Sequence, residues 1–227
     1  MKNIEKNLNL VRQQIIQSAR QFGRDPEEIR LLAVSKRKPA QDIADAFACG
    51  QRDFGENYLQ EAQQKMAELA ELDICWHFIG AIQSNKTKPL AAGFSWAHCI
   101  DRFKIASRLS DQRPDDMPAL NLCIQVNIDD EPTKAGIELA NVPDLAKAIS
   151  SLPRVRLRGL MAIPAPQSDF ESQRRSFALL ADMLNQLNQQ GLDCDTLSMG
   201  MSHDMSAAIA EGATLVRIGT AIFGERD

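Results

Sequence analysis

The order in which two periodicities follow one another constrains this chain more than any other feature. Short β-branched or apolar runs, suited to buried strands, alternate with stretches whose apolar residues recur at helical spacing. A first helical stretch, to about Phe22, puts Ile4, Leu8, Val11, Ile15 and Ile16 on one stripe. Strands are then expected over 29–36, 53–57, 75–80, 95–100, 120–128, 155–163, 196–200 and 214–223. Helices are expected over 39–49, 58–72, 86–92, 142–150 and 169–190, with a short one from Met201 to Glu211. Strand–helix–strand units pair their strands in parallel through right-handed crossovers. Eight of them close into a barrel. The α/β reading is therefore a single (β/α)8 TIM barrel with an extra N-terminal helix. An open doubly wound sheet competes with it but usually has fewer strands, and its GxGxxG fingerprint is absent. Gly50 to Gly55 and Gly219 to Gly224 approach P-loop spacing, yet Glu follows the second glycine in each, where the mechanism needs lysine. No repeat, low-complexity tract or linker divides the chain, so residues 1–227 read as one domain.

Composition narrows the function classes. The chain has 227 residues, 44% of them hydrophobic and 25% charged, enough to bury a sizeable core. Its 26 basic against 30 acidic residues give a net charge of −4, without the basic footprint of a nucleic-acid binder. Cys49, Cys75, Cys99, Cys123 and Cys194 are scattered, with no CxxC and no histidine at zinc-finger spacing. Such a set reads as buried thiols in a reducing compartment, with no metal site. The polar start Met1-Lys2-Asn3-Ile4-Glu5-Lys6 does not resemble a signal peptide. No apolar run approaches the ~20 residues of a membrane span. A cytoplasmic protein, monomeric for want of an obvious exposed apolar stripe, is expected.

Reactive groups in such a barrel belong at the C-terminal ends of the strands. Lys36 ends the first strand on the face of Leu32 and Val34. An amine in line with buried positions is costly unless paired or deprotonated, and partial desolvation suits a lysine that forms a Schiff base. The competing reading sets it with Arg37 and Lys38 in a solvated basic loop. The last two strands each finish in a glycine followed closely by a hydroxyl residue: Gly200 then Ser202, Gly219 then Thr220. Glycine admits a ligand close to the backbone, and Ser202 can cap a helix whose free N–H groups favour an anion. These loops commonly hold phosphate in barrels of this class; tight turns are the plainer alternative. Arg217 interrupts an apolar run and must find an acceptor, either a heteroaromatic ring nitrogen or an internal carboxylate. Lysine, phosphate loops and arginine in these positions describe a site for pyridoxal 5'-phosphate.

The stretches Leu32-Ala33-Val34-Ser35-Lys36, Phe54-Gly55-Glu56-Asn57-Tyr58, Trp76-His77-Phe78-Ile79-Gly80 and Gln83-Ser84-Asn85-Lys86 resemble the pyridoxal phosphate homeostasis protein family, also called the proline synthase co-transcribed homologue family. So do Gly159-Leu160-Met161-Ala162-Ile163, Leu197-Ser198-Met199-Gly200-Met201-Ser202 and Val216-Arg217-Ile218-Gly219-Thr220-Ala221-Ile222-Phe223-Gly224. The resemblance implies a barrel like the N-terminal domain of alanine racemase, with Lys36 holding the cofactor as an aldimine. It further implies Ser202, Gly219 and Thr220 at the phosphate, Gly200 in the adjoining loop, Arg217 at the ring nitrogen, and Asn57 and Met199 near the ring or its linkage. The implied role is vitamin B6 homeostasis, by buffering pyridoxal phosphate or delivering it to apo-enzymes. A pyridoxal phosphate enzyme with weak racemase-type activity is the alternative. A permanently protonated Arg217 keeps the pyridine nitrogen unprotonated and weakens the ring as an electron sink. Two-sided proton transfer also needs an acid/base opposite the lysine. Related racemases take a tyrosine from a second domain, whereas the only tyrosine here is Tyr58 and the sequence runs three residues past Gly224. His77 and His98 read as core histidines satisfied by backbone, Arg154, Arg156 and Arg158 as a solvated rim, and Ser202-His203-Asp204 as coincidence, since consecutive residues cannot form a hydrolase triad. Lys38, Lys86 and Lys134 are surface lysines or a basic approach to the site.

Overall fold

The structure is a computed structural model and describes residues 3–129 and 135–225. The strands are β1 (Arg30–Val34), β2 (Asp53–Glu56), β3 (Cys75–Phe78), β4 (Trp96–Ile100), β5 (Leu120–Asn127), β6 (Ile137–Glu138), β7 (Val155–Ala162), β8 (Thr196–Ser198) and β9 (Leu215–Ile218). The helices are α1 (Ile4–Gln21), α2 (Ala40–Ala48), α3 (Leu59–Glu68), α4 (Thr87–Gly93), α5 (Phe103–Gln112), α6 (Val142–Ser150), α7 (Phe170–Gln189), α8 (Met205–Ala210) and α9 (Thr220–Phe223). Parallel pairing runs β1-β2-β3-β4-β5-β7-β8-β9, and β9 pairs back onto β1, closing a barrel of eight strands. The two-residue β6 lies along the C-terminal end of β5. The extra N-terminal helix is present as α1, which buries Ile4, Leu8, Val11 and Ile15. Ile16, expected on the same stripe, is 37% exposed.

The alternation of each strand sorts side chains between two environments. Outward residues such as Leu31, Phe54, Phe78, Leu122, Val216 and Ile218 join the helices in one large apolar core. Inward positions are more polar: His77, His98, Gln125, Ser198 and Arg217 are all buried. Trp96, Cys99, Cys123 and Met161 form a separate small cluster. No disulfide joins the described cysteines, and burial pushes Cys75 and Cys99 up to about 12 and Cys194 up to about 11. No described helix is long and apolar enough to cross a membrane.

Two boundaries differ from expectation where an apolar run changes element midway. The run over 214–223 is not one strand: β9 stops at Ile218, and α9 turns Ile222 and Phe223 into the core. Asn7 of α1 donates its side-chain amide to the Ile222 carbonyl at 2.9 Å, so docking onto α1 overrides the strand propensity. Similarly, β8 ends at Ser198, and the next helix begins at Met205, not Met201.

Candidate functional site

A cavity of about 220 Å³ opens at the C-terminal mouth of the barrel, lined among others by Lys36, Asn57, Ser202, Arg217, Gly219 and Thr220. Lys36 lies two residues beyond the end of β1 and is half-buried, so the continuation of the inward face carries its amine to the cavity wall. A buried ionic cluster holds the loop around it. Lys65 Nζ donates to the Ser35 carbonyl at 2.8 Å, to Glu56 Oε1 at 2.7 Å and to Glu61 Oε1 at 2.6 Å. Ser35 Oγ donates to the same Glu56 oxygen at 2.6 Å, and the Arg37 amide donates to Glu61. Burial raises the Glu56 carboxyl above its ordinary range, with Lys65 and Ser35 opposing the shift. Arg37 adopts φ 59°, a left-handed conformation that turns the chain directly after Lys36.

Arg217 is 5% exposed. Its Nη1 donates to the Ser198 carbonyl and, at 2.9 Å, to Ser198 Oγ; Nη2 donates to the Ala162 carbonyl at 2.9 Å. None of these described partners is a carboxylate, so no salt bridge among the described residues accounts for Arg217, although the charge of Asp204 favours its protonated form. Burial holds its pKa below the ordinary arginine value. Three of five donor hydrogens are thus engaged by protein, and the side chain borders the cavity. Asn57 supplies a complementary signal: its Oδ1 is buried and meets no donor among the described residues.

Ser202 and Thr220 are exposed at the rim, and Gly219 packs where a Cβ would come within 3.1 Å of the Val34 carbonyl. Ser202 does not cap a helix. Asp204 stands before α8, and its Oδ1 accepts from the Met201 amide at 2.6 Å. Met199 and Gly200 stand behind the cavity wall. Met199 is buried in the large apolar core, and the Gly200 carbonyl accepts from the Arg217 amide at 2.9 Å. The sequence reading missed Ile79, Met161, Ile163 and His203 as wall residues; a pattern of inward positions marks the first two but does not single them out.

The other residues singled out in the sequence have distinct surroundings. Lys38 is buried, lines the same cavity as Lys36 and donates from Nζ to the Glu225 carbonyl. Lys86 lines a neighbouring cavity of about 440 Å³ together with Tyr58, which is absent from the walls around Lys36. Lys134 lies outside the described residues. Arg158 is not solvated: it forms a bidentate pair with Asp195 and sits 4.8 Å from the Trp96 ring centroid. His77 and His98 are core residues satisfied by side chains, not by backbone. Burial lowers the pKa of both, against the pull of Asp53 on His77. The unfolded chain therefore binds more protons below about pH 6.5, and stability is expected to fall as pH drops from there. The slope is at most about 1.4 kcal/mol per pH unit for each group. Urea unfolding between pH 7 and pH 5 checks this, and His98→Phe should flatten the trend.

A closed barrel with a mouth lysine after its first strand and an arginine on its last matches a known class. The sequence model of the alanine racemase N-terminal domain matches residues 2–227. Within that class, the chain belongs to the pyridoxal phosphate homeostasis protein family. The Pseudomonas aeruginosa protein of that name is 56% identical over 227 residues, spanning 100% of this chain and 97% of its own. Its Escherichia coli K12 counterpart is 54% identical over 230 residues, 100% of this chain and 98% of that protein. PipY of Synechococcus elongatus PCC7942, solved with pyridoxal phosphate bound, has a TM-score of 0.86 at 37% identity, covering 98% of this chain and 100% of PipY. Alanine racemase of Clostridium difficile 630 has a TM-score of 0.77 at 14% identity, covering 98% of this chain and 56% of the enzyme, a likeness of fold alone.

Proposed function

We propose that this chain binds pyridoxal 5'-phosphate at the C-terminal mouth of the barrel, linked to Lys36, and buffers or delivers it in vitamin B6 homeostasis. The observation that carries the reading is that a half-buried lysine amine and a buried arginine whose described hydrogen-bond partners include no carboxylate border one cavity. The residues fit the group. Arg217 retains donors for a ring nitrogen, and Asn57 Oδ1 is a buried acceptor awaiting a donor. The hydroxyls of Ser202 and Thr220, with the first-turn amides after Gly219, suit the phosphate. Gly200 acts from behind, fixing the Arg217 backbone, and Met199 packs the wall on which that strand rests.

The cofactor supplies an aldehyde that condenses reversibly with a primary amine. This chain's residues bind and orient it, and they are poorly arranged for turnover. Arg217 donates to the ring nitrogen and leaves it unprotonated, which weakens electron withdrawal from a bound amino acid. Tyr58, the only tyrosine, lines a different cavity, so it is not opposite Lys36 as an acid/base. The names of the relatives support a homeostatic role, and PipY supports the cofactor. In this reading residues 1–227 act as one cofactor-binding domain, monomeric and cytoplasmic, with apo-enzymes as recipients and no nucleic acid or membrane involved.

The test is the visible absorbance of protein mixed with pyridoxal phosphate, before and after borohydride, beside Lys36→Ala. The reading predicts a wild-type band that borohydride removes and the variant lacks. A variant with an unchanged band would overturn the assignment of Lys36. Release of an amino acid's α-hydrogen by the wild type would favour the enzyme alternative.

A further inference from the structure

The barrel interior carries a line of polar groups that the cavity walls do not account for. It starts at Arg217, whose Nη1 donates to Ser198 Oγ at 2.9 Å. Ser198 Oγ is 2.9 Å from His98 Nδ1, His98 Nε2 is 3.0 Å from His77 Nδ1, and His77 Nε2 is 2.9 Å from Asp53 Oδ1. Ser198, His98 and His77 are fully buried, while the Asp53 side chain is 21% exposed. Asp53 is the first residue of β2, and all the barrel strands run parallel, so the line crosses the barrel from the cavity to its opposite face.

The two ends determine the direction of every proton between them. A guanidinium only donates, and an ionised carboxylate only accepts. Arg217 donates to Ser198, whose hydroxyl donates to His98 Nδ1. His98 then carries its proton on Nε2 and donates to His77 Nδ1, and His77 donates from Nε2 to Asp53. Every donor has one acceptor, and both rings are neutral, in keeping with burial that disfavours their charged forms. Reversing the line would aim two donors at Ser198 Oγ and leave its buried hydroxyl hydrogen without a partner among these groups. The Asp53 carboxyl stays below its ordinary range: burial alone would raise it, but the hydrogen bond and charge of His77 and the charge of Arg30 lower it. Arg30 and Cys75 flank that end, the Cys75 thiol 3.4 Å from His77 Nε2, and Glu28, Arg158 and Asp195 line the same face with Arg30.

We propose that Asp53, His77, His98 and Ser198 are positioning residues for Arg217, with Asp53 at the far end fixing the direction of the hydrogen bonds that hold the guanidinium. Chains of hydrogen bonds polarise one another in a low-dielectric interior. The line keeps both Nη1 hydrogens engaged, one on the Ser198 hydroxyl and one on its carbonyl, so the guanidinium plane is held and its remaining donors are left for a ring nitrogen. This rests on the cavity being a pyridoxal phosphate site.

The test compares dissociation constants of pyridoxal phosphate and its 1-deaza analogue, in which CH replaces the ring nitrogen, for wild type, Asp53→Asn, His98→Phe and the double variant. A carboxamide in place of the Asp53 carboxylate can donate as well as accept, so it no longer fixes the direction of the line. Asp53→Asn is expected to weaken pyridoxal phosphate about fivefold, within the usual range of coupling between distant groups, with no comparable change for the analogue. On the His98→Phe background, Asp53→Asn should have no further effect. In the ligand-free protein, histidine 15N–1H correlations should show both rings protonated on Nε2 in the wild type and a mixture in Asp53→Asn. Equal losses for both ligands, or wild-type affinity and tautomers in Asp53→Asn, would overturn the relay while leaving the binding site intact. A wild type that binds the two ligands equally would instead remove Arg217 from the ring nitrogen, and the relay's proposed purpose with it.

Discussion

Gly159→Ala is expected to yield little folded protein. A Cβ at this position would stand 1.9 Å from the Thr196 carbonyl oxygen and 2.8 Å from its carbon, and the residue has φ 154°. Gly159 lies within β7, opposite Thr196 of β8 and beside the register shift against β5 at Cys123. The obstacle is backbone, so no rotamer change relieves it, and moving β8 would disturb Ser198 and with it Arg217. A loss above about 4 kcal/mol belongs to this kind of packing conflict, a large share of the ~5–15 kcal/mol that holds a domain together. Gly191→Ala is the control. That glycine has φ 91° but open space around it, so only the backbone term of about 1 kcal/mol applies. Soluble yield and denaturant unfolding of the two variants should differ sharply, and a Gly159→Ala protein as stable as Gly191→Ala would contradict the strand contact.

Arg217→Leu carries the largest expected effect on binding. It removes the donors to the Ser198 and Ala162 carbonyls as well as those facing the cavity. Each buried carbonyl left unpaired costs about 1–3 kcal/mol, so a melting temperature well below wild type is expected. Affinity for pyridoxal phosphate should fall about 100-fold, equivalent to about 2.7 kcal/mol. Arg217→Lys separates charge from shape. An ammonium keeps the charge but cannot match the planar fork that reaches Ser198, Ala162 and the cavity together. It should recover part of the stability and little of the affinity. Wild-type affinity in a folded Arg217→Leu protein would show that the ring nitrogen lies elsewhere.

The barrel was legible because eight apolar runs separated by helical stripes admit few topologies. The parity of Leu32 and Val34, continued one step past the strand, allows Lys36 to face inward, but position alone fits a solvated basic loop as well, and only the fold sets the residue at the cavity wall. Arg217 stood out as a charge in an apolar run. Features that depend on docking between distant segments were not legible. The run over 214–223 has no local signal that its second half will coil, because the reason is the surface of α1. Met199 and Gly200 share a motif with Ser202, yet the turn after β8 brings Met201, Ser202 and His203 to the cavity wall and leaves those two behind it. His77 and His98 are 21 residues apart, and nothing in their spacing foretells that adjacent strands β3 and β4 bring their rings into hydrogen-bonding contact. Arg158 looked like a solvated rim residue beside Arg154 and Arg156, until Asp195 and Trp96 closed over it.

The central claim is that Lys36 is the amine that takes up pyridoxal phosphate. The most direct measurement is to mix the purified wild-type protein with one equivalent of pyridoxal phosphate, reduce with borohydride, digest, and locate the modified lysine by peptide mass spectrometry. A single major adduct on Lys36 is predicted, with Lys38, Lys65 and Lys86 unmodified. An adduct concentrated on any other lysine, or spread evenly over exposed ones, would contradict it.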